Sequence, residues 1–284
     1  MGSLINSKAY YNPSINLTQH QSALTLLQTS LENPKLSEYH WLDLACGKGQ
    51  IIALLRENIP DEVLRSKIAY YPYDINNDYI KQVEKTAKTL NLCSCKPTTS
   101  EIAHFPQIHH KSQKYDFISF TNTIHELKPQ VISTILFECV IRLASEGSMY
   151  VYDMEQLTSG PELGAIPWQA VEMKEVFEIF LQSLGITQYS PTPQRWIHST
   201  CSGWSIHIQR KYIEIDEQKM EEVREDTINK TATCMAGILT QKLNICKQAL
   251  ESLTTCGTTT KEEEQNKMQL LYDFWALSRA KEVI

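Results

Sequence analysis

The sequence has no hydrophobic run that is long enough to cross a membrane. Its aliphatic run at residues 51–55 is far below the roughly 18 apolar residues that a membrane-spanning helix needs, and the mean hydropathy is −0.32. Glycine and proline are also scarce, with 10 and 11 residues in a chain of 284. These shortages exclude membrane, collagen-like and low-complexity proteins, whereas 42% hydrophobic residues are typical of a globular protein with a sizeable core.

The sequence also lacks an excess of basic residues and a recognisable export signal. Lys and Arg number 27 against 33 Asp and Glu, and the resulting net charge of −6 disfavours a protein built mainly to neutralise nucleic-acid phosphates. The first seven residues lack the cationic and apolar regions of a secretory signal. We therefore expect a cytoplasmic protein whose eight cysteines are thiols.

The cysteines do not have the spacing of a zinc site. Cys93 and Cys95 form the only close pair, whereas structural zinc sites usually need two such pairs, or one pair with regularly spaced histidines. The nearby His104, His109 and His110 are irregularly spaced beside a proline. The sequence therefore predicts no metal site.

Apolar runs alternate with helical patterns over most of the chain. Their alternation predicts a parallel sheet that is doubly wound, with helices on both faces. Pro72 is unusual in one of the predicted strands, because proline cannot donate a ladder hydrogen bond. The predicted strands lie at 40–45, 68–74, 92–96, 115–120 and 147–153, and the predicted helices at 23–31, 50–56, 76–90, 129–143 and 168–184.

The last third of the chain has a different pattern. Two segments of alternating polarity, 195–200 and 204–209, are joined by residues 201–203 and predict an antiparallel hairpin. Helical patterns follow at 218–252 and 262–280. We thus predict an α/β fold with a mostly parallel seven-stranded sheet, an antiparallel terminal hairpin and a C-terminal helical hairpin. The predicted division is an N-terminal helical or lid segment (1–38), a central domain (39–212) and a helical extension (213–284).

A glycine turn follows the first predicted strand. Gly47 and Gly49 would let a ligand approach the backbone closely, and the turn would aim N–H groups at it. A dinucleotide fingerprint would need Gly or Ala at position 52, where Ile52 stands. Together with Asp43, four residues before Gly47, this disfavours a nicotinamide-dependent oxidoreductase and favours another nucleoside ligand.

This turn resembles the first motif of the class I S-adenosylmethionine-dependent methyltransferases, and the resemblance extends over about residues 40–210. The family motif is an apolar strand that ends Asp/Glu-x-Gly-x-Gly-x-Gly. The sequence here has Asp43, Gly47 and Gly49 in place, with Ala45 at the first glycine position. The resemblance implies the Rossmann-like methyltransferase fold, S-adenosylmethionine as cofactor, and a role for all four residues in binding it.

Further motifs of the family follow at matching positions. The acid at the end of the second strand binds the ribose hydroxyls in the family, and Asp74 stands there, followed by Ile75 in position to pack on adenine. Glu101 and Ile102 resemble the segment that contacts adenine. Residues 115–127 resemble the fourth motif, which implies that Asn122 lies near the methionine part of the cofactor.

Methyl transfer from a sulfonium is an in-line displacement that depends mainly on positioning and on exclusion of water. If the acceptor must lose a proton, His125 is the candidate general base because it follows the fourth-motif strand, and Glu126 is the candidate to orient it. The candidate substrate-binding residues are Glu126, Tyr11 and Trp168. Tyr11 belongs to the segment that is predicted to form an N-terminal lid, and Trp168 lies at the start of a predicted helix.

The sequence says less about the methyl acceptor than about the cofactor. Thr121–Ile124 stands where base-modifying methyltransferases have Asn/Asp-Pro-Pro-Tyr/Phe, which argues against methylation of nucleobase amines in that manner. The acidic chain favours a small-molecule acceptor, then a protein side chain, then RNA. The alternative is a non-catalytic interaction protein, in which Ala45 and Pro72 mark a degraded site. The sequence leaves three roles open for the C-terminal helices, which are to cover the active site, to form a homodimer or to bind a partner subunit.

Overall fold

The computed structural model describes residues 18–34, 36–157, 166, 168–197, 201–256 and 260–282. Its strands are β1 (Tyr39–Leu44), β2 (Ile68–Asp74), β3 (Ser94–Cys95), β4 (Thr98–Thr99), β5 (Tyr115–Thr121), β6 (Leu143–Leu157), β7 (Gln194–Ile197) and β8 (Cys201–Gln209). Its longer helices are α1 (Thr18–Leu31), α5 (Asn77–Thr89), α7 (Pro129–Ile141), α8 (Ala170–Ser183), α10 (Arg224–Cys256) and α11 (Lys261–Glu282). Short helices are α2 (Gln50–Ala53), α3 (Leu55–Asn58), α4 (Glu62–Arg65), α6 (Phe105–Ile108) and α9 (Glu217–Glu222), and 3-10 turns lie at Ile102–His104, Ile124–Glu126 and Arg210–Tyr212.

The strands form one mixed sheet in the order β3-β2-β1-β5-β6-β8-β7, with β4 also paired to β2. Parallel ladders join β1 to β2, β1 to β5 and β5 to β6, whereas the β6-β8-β7 end is antiparallel. This confirms the predicted α/β class. The chain moves outward from β1 to β3 and then returns to β5 on the other side of β1, and ligands of such sheets bind where the strand order reverses.

Two compact units make up the described chain. The first comprises the described residues up to Thr123, with Ile135–Tyr152 and Ser205–Glu217, and the second comprises Ile124–Thr134, the described residues from Asp153 to Trp204, and those from Gln218 onward. The predicted boundaries at residues 38 and 212 stay predictions.

The core of the first unit is the sheet centre. All seven residues of β2 are buried, which explains its near-continuous apolar sequence, since parallel strands are covered on both faces. In the second unit, α10 packs against α8 and against α11. The α8 side chains Met173, Val176 and Phe177 are fully buried there. Within the described ranges, no helix is both long enough and apolar enough to span a membrane.

The strand predicted at 92–96 is wrong in its extent, and Pro72 explains why. The structure has two short strands there: Cys95 of β3 pairs with Tyr70, and Thr98 of β4 pairs with Tyr73. The ladder is therefore interrupted beside residues 71–72, where proline has no N–H to donate.

Three other predicted boundaries are corrected. The helix predicted at 50–56 is divided at Leu54 into α2 and α3. The turn predicted at residues 201–203 is wrong, because these residues belong to β8; residues 198–200 lie outside the described residues. The strand predicted at 147–153 extends over Leu143–Leu157 with an irregular register opposite Tyr115 and Phe117, which its sequence pattern did not reveal.

Candidate active site

The glycine turn after β1 has three residues in the left-handed backbone region. Their φ angles are 52° at Ala45, 54° at Gly47 and 75° at Gly49. At Ala45 this conformation carries a steric penalty of roughly 1 to 2 kcal/mol, because the side chain crowds the carbonyl. The turn therefore keeps a glycine-like backbone even where alanine replaces the family's first glycine.

The two glycines of this turn have different surroundings. A Cβ added to Gly49 would lie 2.8 Å from the side chains of Ile52 and Val83, so this glycine allows the turn to pack against α5. A Cβ added to Gly47 would meet no described atom within 4 Å. Gly47 therefore marks the open side of the turn, where a ligand has access to the backbone.

The Asp74 carboxylate connects the turn to the end of β2. Its Oδ2 accepts the N–H of Gly47 and its Oδ1 accepts the N–H of Asn76, both at 2.8 Å. Each carboxylate oxygen has two lone pairs, so a carboxylate held in this way retains the capacity to accept ribose hydroxyls. Beside it, the Ile75 side chain is 65% exposed, which leaves its apolar surface available to a flat ring such as adenine.

The segment that follows β4 is fixed to the same strand end. The Ser100 N–H donates to the Asp74 carbonyl at 3.0 Å, and the Tyr73 hydroxyl donates to the Glu101 carbonyl at 2.7 Å. Glu101 itself is exposed and Ile102 is half-buried. These bonds place the predicted adenine segment next to the carboxyl end of β2.

Asp43 does not lie on the open side of the turn. Its carboxylate is buried and accepts the hydroxyls of Tyr70 at 2.7 Å and of Ser119 at 2.5 Å, while Trp41 donates to the Ser119 hydroxyl at 2.8 Å. Burial raises the pKa of Asp43 to about 6, against the lowering effect of the two hydroxyls and with a smaller contribution from the charge of Asp74. Asp43 thus joins β1 to both of its neighbours, β2 and β5.

Asn122 follows the last residue of β5. Its φ is 54°, a left-handed conformation that asparagine tolerates better than most residues, and its N–H donates to the Tyr152 carbonyl at 2.9 Å. These interactions fix the backbone at the carboxyl end of β5. All the predicted cofactor residues belong to the first unit.

His125 and Glu126 belong to the second unit, where His125 is clamped by Asp153. The ring Nδ1 lies 2.7 Å from Oδ1 of Asp153, and the His125 backbone N–H donates to Oδ2 at 2.9 Å. Burial lowers the pKa of His125, but the charge and hydrogen bonds of Asp153, with a smaller effect of Glu126, outweigh it and raise the pKa to about 10. A ring that is protonated at neutral pH has no free lone pair with which to take up a proton.

The other predicted substrate residues, Trp168 and Tyr11, are not placed beside His125 by any described contact. Trp168 is fully buried in the second unit, where its carbonyl accepts the indole N–H of Trp204 at 2.6 Å. Lys242 lies 5.9 Å above the Trp168 ring. Tyr11 lies outside the described residues.

Sequence reasoning missed three supporting residues: Tyr70, Ser119 and Asp153. The available signal for Ser119 was one hydroxyl inside an otherwise apolar strand. The signal for Asp153 was a single acid that follows the apolar run of β6. Neither signal identifies its partner, because the partners lie 76 residues apart for Ser119 and Asp43, and 28 residues apart for Asp153 and His125.

The profile of the methyltransferase-domain family matches residues 35–184, which is more than half of the chain. The chain belongs to the class I S-adenosylmethionine-dependent methyltransferases. It is accordingly an enzyme whose methyl donor is S-adenosylmethionine. No curated protein sequence matches the methyltransferase at a significant level.

Solved structures similar to this methyltransferase include the CurJ carbon methyltransferase, with 14% identity and a TM-score of 0.50 over 67% of this chain and 54% of that one. Magnesium protoporphyrin IX methyltransferase (ChlM) from Synechocystis PCC 6803, with bound S-adenosylhomocysteine, has 13% identity and a TM-score of 0.48 over 68% and 83%. The plantazolicin methyltransferase BpumL, also with S-adenosylhomocysteine, has 14% identity and a TM-score of 0.48 over 70% and 88%. The CurJ likeness concerns the fold.

Proposed function

We propose that this methyltransferase transfers the methyl group to a small-molecule acceptor and holds its cofactor at the carboxyl ends of β1, β2 and β5. The observation that carries the cofactor assignment is the Asp74 carboxylate, which joins the end of β2 to the open side of the glycine turn through the Gly47 N–H. The proposed cofactor residues are Asp43, Ala45, Gly47, Gly49, Asp74, Ile75, Glu101, Ile102 and Asn122.

Each of these residues is assigned to a different part of the cofactor. Asp74 accepts the ribose hydroxyls, the exposed Ile75 packs on adenine, and Glu101 with Ile102 contacts the adenine edge. The backbone of the turn and Asn122 face the methionine part, although the N–H groups of Gly47 and Gly49 are already bonded to Asp74 and to the Cys46 carbonyl. Asp43 acts indirectly, because its buried carboxylate fixes β1 against β2 and β5 at the base of the turn. Bound S-adenosylmethionine supplies a methyl group activated by the sulfonium charge, and the protein contributes positioning.

Charge supports the small-molecule acceptor. A net charge of −6 gives the chain no general attraction for a polyanion, and binding to nucleic acid depends on neutralised phosphates. We propose Glu126, whose side chain is 55% exposed, as an acceptor contact beside His125, whereas the fully buried Trp168 packs inside the second unit. A protein side chain and RNA are the competing acceptor classes.

Calorimetric titration with S-adenosylhomocysteine tests the cofactor site. Asp74→Ala removes a charged hydrogen-bond acceptor, which is worth about 1.5 to 3 kcal/mol, so we expect Kd to rise by about tenfold or more. Asp78→Ala is the matched control, since Asp78 is an exposed acid on α5 that pairs with Lys81, and it should leave Kd unchanged. Equal Kd values for Asp74→Ala and wild type would contradict the assignment of Asp74.

The acceptor class is tested separately with S-adenosylmethionine that carries a labelled methyl group. The methyltransferase is incubated with a deproteinised cell extract, a protein pool and an RNA pool, and the label is followed in each. Label in small molecules supports the proposal. Label confined to protein or RNA overturns the acceptor class but leaves the cofactor site standing.

A further inference from the structure

A row of large apolar side chains on α11 faces the solvent. Met268, Leu271 and Trp275 follow one another at spacings of three and four residues, so they lie on one face of the helix. Their exposed fractions are 67%, 45% and 39%. The half-buried Tyr272 lies beside this row, with its ring centroid 6.2 Å from that of Trp275. Met268, Leu271, Tyr272 and Trp275 are called the α11 stripe below.

The α11 stripe is separate from the face of α11 that contacts α10. The Leu270 carbonyl accepts a hydrogen bond from the Cys246 thiol of α10 at 3.1 Å, and Leu277, seven residues later on the same face, is buried. At 3.6 residues per turn, Leu277 lies half a turn away from Met268. A surface helix usually has one apolar face, whereas α11 has a second one. Methionine, tyrosine and tryptophan are enriched in protein interfaces, so the α11 stripe is typical of a docking surface.

Charged residues extend the same face of α11 at both ends of the stripe. Lys261 and Glu264 stand seven and four residues before it and are exposed. In the sequence, Arg279 and Glu282 stand four and seven residues after it, within the same helix. Along this face the order is therefore positive, negative, apolar, positive, negative. Every sign is reversed when the order is read from the other end, so the face is complementary to an antiparallel copy of itself.

We propose that the α11 stripe binds the α11 stripe of a second copy of this methyltransferase, with the two helices antiparallel about a two-fold axis. In such an interface, each copy presents the same surface to the other. Four kinds of position then come level between the copies, which are Met268 with Trp275, Leu271 with Tyr272, Glu264 with Arg279, and Lys261 with Glu282.

This arrangement explains both features of the face. Burial of the apolar pairs supplies the free energy of association, and the opposite charges at the ends select the antiparallel register. The contact extends along a helix of 22 residues, which is about 33 Å long. An unrelated partner protein would not require a charge order that is complementary to itself, so a second copy is the occupant that the face fits.

Sedimentation equilibrium of the full chain tests the dimer. We expect a mass of twice 32.6 kDa for the wild type. Leu271→Glu places one negative charge from each copy close to the two-fold axis, so Kd of the dimer should rise by about tenfold or more. Val63→Glu is the matched control, since Val63 is 68% exposed on α4, and it should leave the mass unchanged. A wild type that stays at 32.6 kDa up to about 100 μM, or a Leu271→Glu variant that dimerises as well as wild type, overturns the proposal.

A charge exchange tests the antiparallel register. Glu264→Arg and Arg279→Glu each bring like charges level, and each should raise Kd of the dimer by about three- to tenfold, because the pair occurs twice. The double variant restores opposite charges and should recover most of the wild-type Kd. Residues 264 and 279 are about 22 Å apart along one helix, so a coupling between the two substitutions arises across the interface. A double variant whose losses simply add overturns this register. Circular dichroism checks that every variant keeps its helices.

Discussion

The Gly47 N–H donates to Oδ2 of Asp74 over 2.8 Å, and the other oxygen of the same carboxylate accepts the N–H of Asn76. One side chain therefore holds the turn after β1 and the turn after β2 in a fixed relation. This relation explains why an acid at this position serves the fold as well as the ligand, and the two contributions can be separated.

Asp74→Asn should lower the stability of the protein without cofactor. Asparagine has one acceptor oxygen, so one of the two backbone N–H groups would face an amide N–H₂ instead of an acceptor. We expect a loss of about 1 to 3 kcal/mol in the free energy of unfolding, measured by urea denaturation. Stability equal to that of the wild type would indicate that the two hydrogen bonds to Asp74 contribute no net free energy of folding.

Gly47→Ala and Gly49→Ala should differ although both glycines have positive φ angles. Each alanine carries the left-handed penalty of roughly 1 to 2 kcal/mol, but only the Cβ at position 49 would lie 2.8 Å from Ile52 and Val83. Gly49→Ala should therefore lose the larger part of the stability in urea denaturation. Equal losses would contradict the packing of the turn on α5.

Ala45→Gly should stabilise the protein. Position 45 has a φ of 52°, and glycine adopts this conformation without the Cβ clash, although its unfolded chain has more entropy to lose. The expected net gain is about 0.5 to 1 kcal/mol, measured as a higher urea midpoint with an unchanged slope. A lower midpoint would mean that the alanine side chain contributes packing that outweighs its strain.

Local patterns predicted β1, β2, β5 and the glycine turn well, because their signals lie within a few residues. β2 was predicted at 68–74 and runs over Ile68–Asp74, and the change from the apolar run of β1 to glycine located the turn. The division between β3 and β4 was not predicted, because it depends on which residues face Pro72 in another strand. The clamp on His125 depends in the same way on a residue that is distant in sequence.

The pH dependence of stability should reveal the buried Asp43. Its pKa is about 6 in the folded protein against an ordinary value of 3.8, so the folded state binds this proton more tightly than the unfolded state. The stabilisation that this difference in pKa provides is fully present below the pKa of Asp43 in the unfolded chain and is lost as the pH rises through 6. The free energy of unfolding changes by about 3 kcal/mol from this group.

Asp43→Asn should remove this dependence. The hydroxyls of Tyr70 and Ser119 can turn to bond with the amide, so the variant is expected to fold. The measurement is the difference in unfolding free energy between wild type and variant at pH 4 and at pH 6.5. Wild type should lose stability relative to Asp43→Asn over this interval. A constant difference would mean that Asp43 titrates alike in both states.

A buried ion pair in the first unit gives the last prediction. Arg142 and Glu138 are both buried, and the Arg142 guanidinium donates to Glu138 and to the carbonyl of His109, at 3.1 Å from Nε. Arg142→Met leaves the Glu138 carboxylate buried without its cation, so we expect a loss of about 3 to 5 kcal/mol.

The double variant Glu138→Met with Arg142→Met separates the buried charge from the packing of the arginine. It removes both charges, and it should be more stable than Arg142→Met alone in urea denaturation because no carboxylate that has lost its cation is left inside. Lys81→Met is the control, since the exposed pair of Lys81 and Asp78 is worth less than about 1 kcal/mol. If the double variant were no more stable than Arg142→Met, the loss would come from the hydrogen bonds of the guanidinium to the His109 and Pro106 carbonyls, rather than from a buried Glu138 charge without its cation.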